Sequence, residues 1–466
     1  MGVYSNFNFS PILVDVLKRP ALVQRINPII YILIEIAERE LDSKLLIALY
    51  LVKKGFHVIV GYQWALAENR DCLPAGIFFF KGMNKIHTDS MARVCQSGHT
   101  VVAMEEELLD CCMDPPEYYD FRDYFHSDAN HHCHLFLASH KFEARVVKRI
   151  MPNLNVRLTG NPRTDYLRPE LVSVYDYMRE EISKKISSNY ILIDTNLGLI
   201  NSKLSSKNLS EVQKRIIPEE KELVKRYKKR ERAEIKWETY NMKSVFKLIE
   251  LFGKHRPNQK VLIRPHPAEK LETYIRFSRK YPNVEVASNK DSARPWILAS
   301  DVLIHTGCTT GTEAVAMGHP TISIQEKGSE MAQFRVTNHV SHLTHTVDEA
   351  YQAIQDFYAG KLKLGDTSTL KKFWPAQEGK FAAERIADEI HGFYLGLGGL
   401  PPNFELHLSG KFKQVRLTGF HKRKMFVELS RVEHILKQIY KQLPGMPKQM
   451  KLYEISRNVF YMSPPQ

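Results

Sequence analysis

The amino-acid sequence predicts an α/β protein built from two doubly wound, Rossmann-like domains that face a cleft. Three observations lead there. Short apolar runs recur along the chain, as the buried strands of a parallel sheet do. Between them lie helix-periodic stretches or Gly/Pro/Asn punctuation, the sequence mark of βαβ crossovers. The series pauses near residue 170 and begins again, so two sheets account for it better than one.

Taken in order, residues 1–26 are an N-terminal extension and residues 27–170 the first domain. That domain opens strand, helix, strand. An apolar run at 28–36 is followed by Leu45, Leu46, Leu49 and Leu51 in a helical pattern, then by the Lys53-Lys54-Gly55 turn and a second run at 57–60. Further strands are expected at 76–80, 101–104, 135–138 and 156–158. The second domain, residues 171–395, has strands at 190–194, 261–264, 284–287, 302–305 and 321–324, with helices at 241–252 and 311–317. Within it, residues 203–238 form a charged insertion, including Lys225-Arg226-Tyr227-Lys228-Lys229-Arg230, read as a solvated helix. A Gly/Leu/Pro linker at 394–402 leads into a basic C-terminal extension, residues 396–466. There Leu429, Val432, Ile435, Leu436, Ile439, Tyr440 and Leu443 make one apolar helix face, suited to the protein's own core or to a membrane surface.

Composition narrows the function classes. With 43% hydrophobic and 25% charged residues, 23 Gly and 23 Pro in 466, the chain is neither disordered, collagenous nor coiled-coil. No apolar run reaches the roughly 18–20 residues of a membrane span, so a soluble protein is expected. No basic residue precedes an apolar run at the N-terminus, and Asn6 stands where myristoylation needs Ser or Thr, so neither a secretory signal nor an acyl anchor is expected. Six cysteines without a CxxC half-site (Cys72, Cys95, Cys111, Cys112, Cys133, Cys308) suit reduced thiols in a cytoplasm. His126, His131, His132, Cys133 and His134 match no closed zinc pattern, and no metal is expected. The net charge is +14, and residues 401–466 carry 12 Lys and Arg against 4 Glu, over half of the excess. Such a tail suits an anionic partner, here the inner membrane surface. Its basic run lacks interleaved stacking aromatics, and nucleic acid is not expected.

Three strand ends carry the chemistry. His305-Thr306-Gly307-Cys308-Thr309-Thr310-Gly311-Thr312-Glu313 runs from a strand through a Gly/Thr turn into a helix, so that backbone N–H groups, the helix dipole and several hydroxyls converge on one anion site. Glu313 in the first turn is placed either for ribose hydroxyls or simply to complement the dipole. In Arg264-Pro265-His266-Pro267 the prolines fix the backbone around His266, which suits a phosphate ligand or a general acid. In Asp194-Thr195-Asn196-Leu197-Gly198 the carboxylate ends a strand, as a catalytic group or as a turn former. In the first domain Glu35 and Glu105 follow strands at the acceptor side and are candidate general bases, while Asn161 and Arg163 close the last strand at the hinge. Neither GxGxxG nor GxxxxGK[ST] occurs.

The set Ile34-Glu-Ile-Ala-Glu-Arg-Glu-Leu-Asp42, Thr159-Gly-Asn-Pro-Arg163, Asp194-Thr-Asn-Leu-Gly198, Arg264-Pro-His-Pro267 and His305-Thr-Gly-Cys-Thr-Thr-Gly-Thr-Glu-Ala314 resembles the bacterial surface-carbohydrate biosynthesis proteins over roughly residues 28–390. These are GT-B-like glycosyltransferases that include retaining β-Kdo transferases using CMP-Kdo. The resemblance implies that His266 and the 306–312 turn hold donor phosphates without a metal. It also implies that a carboxylate near the first strand of the second domain acts as nucleophile. The capsule Kdo transferases read Asp-Gln…Gly-Asp at that strand end; here Asp194 is the only carboxylate of the motif.

The function expected is therefore a metal-independent, cofactor-free GT-B glycosyltransferase of capsule or lipopolysaccharide synthesis, cytoplasmic or peripheral on the inner membrane. It would move a sugar, such as Kdo from CMP-Kdo, from a nucleotide-sugar donor to a glycan or lipid-linked acceptor. Catalysis falls to Asp194, His266, Glu35 and Glu105. Nucleotide binding falls to Arg264, His266, Thr306, Gly307, Thr309, Thr310, Gly311, Thr312 and Glu313, with Asn161, Arg163 and Asn196 in the cleft and hinge. The rival expectations are a UDP-N-acetylhexosamine 2-epimerase, a CMP-polyol phosphotransferase and a basic membrane- or nucleic-acid-binding protein.

Overall fold

A computed structural model describes residues 28–110, 119–186, 189–204, 220–325, 327, 329–363, 365–374, 377–397 and 426–465. The expected N-terminal extension, Cys111, Cys112, most of the linker and the first part of the basic tail lie outside the described residues. The first sheet begins with β1 (Ile29–Ile34), all six residues buried, as a parallel strand covered on both faces requires. Helix α1 (Ala37–Lys53) follows, and the Glu40 carboxylate reaches back to accept from the Glu35 and Ile36 N–H groups just before it at 2.8 and 3.2 Å. Gly55, at φ +89°, turns the chain into β2 (His57–Tyr62). Strands β3 (Ile77–Phe80), β4 (Thr100–Ala103), β5 (Leu135–Ala138) and β6 (Val156–Leu158) add in parallel to the far side of β1.

The second sheet has β7 (Tyr190–Asp194), β8 (Lys260–Arg264), β9 (Val284–Val286), β10 (Val302–His305), β11 (Thr321–Ile324) and β12 (His342–Thr344), in the order β12-β11-β10-β7-β8-β9 and parallel throughout. The order reverses between β7 and β10. Ligands of doubly wound sheets bind at such a reversal, outside the carboxyl ends of the strands. Strand register places Asp194 beside both Arg264 and His305 at that point.

The charged insertion departs from the simple reading of its charge. The described part of the insertion, from Lys221, is the first half of one 35-residue helix, α2 (Lys221–His255), continuous with the apolar half that packs on the second sheet. Its charged half is only partly solvated. Arg230 is buried against the first domain, 2.7 Å from the Asp123 carboxylate and over the rings of Tyr119 and Tyr227. Within the same helix Trp237 is buried and donates to Gln325 at 2.8 Å.

The chain then returns to the first domain. Helix α5 (Ala382–Gly396) packs on α1, its first N–H groups, at Ala382 and Ala383, donating to the Asp165 carboxylate at 2.8 and 2.9 Å. Helix α6 (Leu429–Gln442) buries Val432, Ile435, Leu436 and Ile439 in the first domain's core, so the apolar face seen in the sequence is used internally. Arg431 pairs with Glu38 at the start of α1. A hairpin, β13 (Lys451–Ser456) and β14 (Val459–Ser463), then extends the first sheet, β14 pairing antiparallel with β2. Because Ile439 is fully buried, Ile439→Ala is expected to lower the unfolding free energy by about 2–5 kcal/mol, read from the denaturant midpoint. A change under about 0.5 kcal/mol would show that this helix adds nothing to the core. Among the described residues no helix is long and apolar enough to cross a membrane.

Candidate active site in the interdomain cleft

The turn after β10 is shaped by packing. Gly307 has φ +83°, and a Cβ there would lie 2.7 Å from the Trp237 ring. His305 is buried, its Nδ1 accepting from the Gly307 N–H at 3.0 Å, so its Nε2–H faces the Ser341 hydroxyl at 3.0 Å. Burial holds its pKa down at about 3, and it stays neutral. Helix α4 (Thr309–Ala316) begins at Cys308, and no side chain caps it. Gly311 lets that helix sit on His305, since a Cβ would come within 2.4 Å of the ring.

A group of buried polar atoms stands around this turn. Among the described residues, both Asp194 oxygens, Thr306 Oγ1, Arg264 Nε and Asn241 Oδ1 lack a partner in hydrogen-bond geometry. Most buried polar atoms of folded proteins have a partner, so these are free to bond a ligand or water. Burial pushes the Asp194 carboxyl up to about 6, against the pull of the Arg264 guanidinium and the nearby Thr310 hydroxyl. Arg264 donates from Nη2 to the Asp291 carbonyl at 2.6 Å, which fixes its direction. Thr309 and Thr310 are half-buried at the helix start, and the Thr310 hydroxyl lies 2.5 Å from the Cys308 thiol.

His266 reaches the cleft from the loop after β8. Its Nδ1 accepts from the Ala268 N–H at 3.2 Å, which leaves the proton on Nε2. Burial, then the Arg39 guanidinium, lower its pKa to about 4, so at neutral pH it is a hydrogen-bond donor without charge. Asn196 is half-buried on the neighbouring loop.

The first-domain residues are tied into ion pairs. Lys81 holds Glu35 at 2.8 Å and Glu40 at 3.0 Å, while Arg39 holds Glu107 at 2.7 Å. Glu105 is buried and accepts from the Glu107 N–H at 2.8 Å; burial raises its pKa well above the carboxylate range, which suits a proton holder better than a base at neutral pH. Asn161 accepts from the Arg163 N–H at 3.0 Å and shapes the hinge turn.

Glu313 and Thr312 point into the domain junction. Arg294, at the start of α3 (Arg294–Ala299), contacts the Glu313 carboxylate at 3.2 and 3.5 Å, and Arg163 approaches it to 3.5 Å. Burial alone would raise Glu313, but these guanidinium groups prevail and hold its pKa below the ordinary value. Thr312 donates to Asp110 of the first domain at 2.8 Å, and the same oxygen accepts from the Thr337 N–H at 2.9 Å. Sequence reasoning gave Arg294, Asp110, Lys81 and Glu269 no role, although each orients a residue it had singled out. Of these only Lys81 directly follows a strand, and Arg294 and Asp110 lie well beyond the nearest strand ends. Among the described residues no group of three or more His, Cys, Asp or Glu side chains is arranged to hold a metal ion.

No family model and no curated protein matches the sequence. Solved structures do match. A Listeria monocytogenes protein assigned as a UDP-N-acetylglucosamine 2-epimerase is 10% identical with a TM-score of 0.50, over 79% of this chain and 97% of that one. The fold is GT-B-like. The Methanocaldococcus jannaschii UDP-GlcNAc 2-epimerase, solved with UDP-GlcNAc and UDP, is 12% identical with a TM-score of 0.46, over 78% of this chain and 99% of that one. Wall teichoic acid polymerase TagF is 11% identical with a TM-score of 0.45, over 81% and 91%. At such identities the likeness concerns the GT-B-like fold and leaves chemistry to the residues of the cleft.

Proposed function

We propose that this protein is a glycosyltransferase of surface-polysaccharide synthesis that takes a sugar from a nucleotide-linked donor. The observation that carries the reading is the set of unpartnered buried polar atoms, the two Asp194 carboxylate oxygens, Thr306 Oγ1 and Arg264 Nε, beside an uncapped helix start at the strand reversal. A donor phosphate seated there would receive the α4 N–H groups, the Thr306 and Thr310 hydroxyls, the Arg264 guanidinium and His266 Nε2–H, which together stabilise the charge that grows on the leaving phosphate. Asp194 is mostly ionised above its pKa of about 6 and lies next to that position, as nucleophile or base toward the sugar. The acceptor enters from the Glu35 and Lys81 side. Kdo from CMP-Kdo is the finer assignment, supported by the motif resemblance. No metal is needed for phosphate binding in this scheme, and the exposed, basic Lys437 and Lys441 of α6 support an anionic membrane surface as a partner.

The test is thermal unfolding with CMP, CDP, UDP or GDP. A nucleotide at about 100 times its Kd should stabilise the native state by about 2.7 kcal/mol, and Arg264→Ala and His266→Asn should each remove most of that response. No response from the parent protein to any nucleotide would overturn the donor site. Release of ManNAc from UDP-GlcNAc without an acceptor would assign the epimerase reading instead, and phosphate retained in the product the phosphotransferase.

A further inference from the structure

Five donors converge on one buried carboxylate that the donor-site scheme above does not use. Glu269 Oε1 accepts from the Thr195 hydroxyl at 2.8 Å, the Leu197 N–H at 3.1 Å and the His266 N–H at 3.0 Å. Its Oε2 accepts from the Tyr274 hydroxyl at 2.5 Å and Asn201 Nδ2 at 3.5 Å. The side chain is fully buried. A carboxylate offers about four lone-pair sites, so these five donors saturate it, three of them sharing Oε1, whereas an amide oxygen offers two. Four of the donors belong to two loops, one following Asp194 and the other carrying His266, each ending a different strand, and the fifth, Tyr274, sits on the helix Leu271–Ser278. Two backbone bonds also run between them, from Lys203 N–H to Ala268 and from Lys270 N–H to Asn201. The turn that Glu269 closes on the His266 N–H is the one in which the Ala268 N–H reaches His266 Nδ1.

We propose that Glu269 is the positioning residue of the donor site, joining the loop after Asp194 to the loop of His266 and holding the imidazole in the form whose Nε2–H faces the cleft. The proposal rests on the reading of His266 as a donor-phosphate ligand. Glu269 itself reaches neither phosphate nor sugar. It works by fixing two groups that must act on the same molecule within a few tenths of an ångström.

Glu269→Gln in the full chain tests this with two readouts. The first is the ¹⁵N spectrum of histidine-labelled protein, with the His266 signals assigned by a His266→Gln variant. The parent should show one His266 form, with Nδ1 unprotonated, and Glu269→Gln should show a mixture. The second is affinity for CMP and for UDP, which should fall about tenfold or more for whichever nucleotide the parent binds. An unchanged His266 form together with unchanged affinity overturns the proposal, even if stability drops. If the parent binds neither nucleotide, the donor reading fails, and the His266 spectrum alone decides the positioning role. Should Glu269→Gln fail to fold, Thr195→Val removes one donor from Oε1 and carries the same readouts; no change in either then overturns the proposal.

Discussion

Asp194→Asn is expected to reduce turnover by about 10³-fold or more while making the protein more stable at neutral and alkaline pH. Both effects come from the same buried carboxyl. Its folded pKa of about 6 lies above its value in an unfolded chain, near 3.9, so the native state resists ionisation. Below about pH 3 both states are protonated and the group contributes nothing. As pH rises from about 4 to 6 the unfolded chain ionises first, and stability falls by about 3 kcal/mol, a deficit that persists at higher pH. Asparagine carries no such deficit. The variant should therefore match the parent near pH 3.5 and exceed it at about pH 8, as measured by denaturant unfolding at the two pH values. Retained turnover would remove Asp194 from catalysis, and a loss of stability at pH 8 would make it a turn-forming residue.

The largest stability loss is expected for Glu313→Gln. Arg294 and Arg163 are buried around this carboxylate, Arg294 also donating to the Tyr175 hydroxyl at 2.6 Å and to the Arg163 carbonyl at 2.9 Å. Removing the carboxylate that both contact leaves Arg294 with Asp42 and Arg163 with Glu107 as the remaining negative charges near them, at a cost of about 3–5 kcal/mol. Glu313→Gln combined with Arg294→Met should recover part of that loss, since one of the stranded charges leaves with its partner. The lowered Glu313 pKa also sets a pH window. Its stabilising effect is present above the unfolded carboxyl value and disappears as pH falls through the still lower folded value, so acid unfolding of the parent includes this group and that of the variant does not. A single-variant loss below about 1 kcal/mol would show that the arginines find other partners.

The readable and unreadable parts of the sequence differ in physical kind. Leu135–Ala138, Tyr190–Asp194, Val302–His305 and Thr321–Ile324 stand out as apolar runs because both faces of these strands are covered. His342–Thr344 does not, because it forms the outer edge of its sheet and keeps a polar sequence. The hairpin of β13 and β14 is hidden within a basic tail, its turn marked only by Asn458 in the left-handed region at φ 60°. In the cleft, Asp194, His266 and the 306–310 turn are legible because each follows an apolar run directly. Asp110 and Glu269 are not, since Asp110 acts on Thr312 across 202 residues and Glu269 on Thr195 across 74. The pairing of Glu313 with arginines is equally invisible, and a carboxylate in a first helical turn reads the same whether it faces ribose or a guanidinium.

The return of the chain to its first sheet sets the order in which the protein can be completed during synthesis. Strand β2 leaves the ribosome early, yet Phe460, its partner opposite Val60, follows 400 residues later. At roughly 5–20 residues per second the nascent first domain keeps an open strand edge, and an uncovered patch for α6, for about 20–80 s. Strands β7 to β12 are contiguous in sequence and need nothing from the first half to pair. The second half is thus free to fold before the first, and a nascent chain stalled between residues 397 and 426 would display the unfinished edge that chaperones engage and that promotes aggregation.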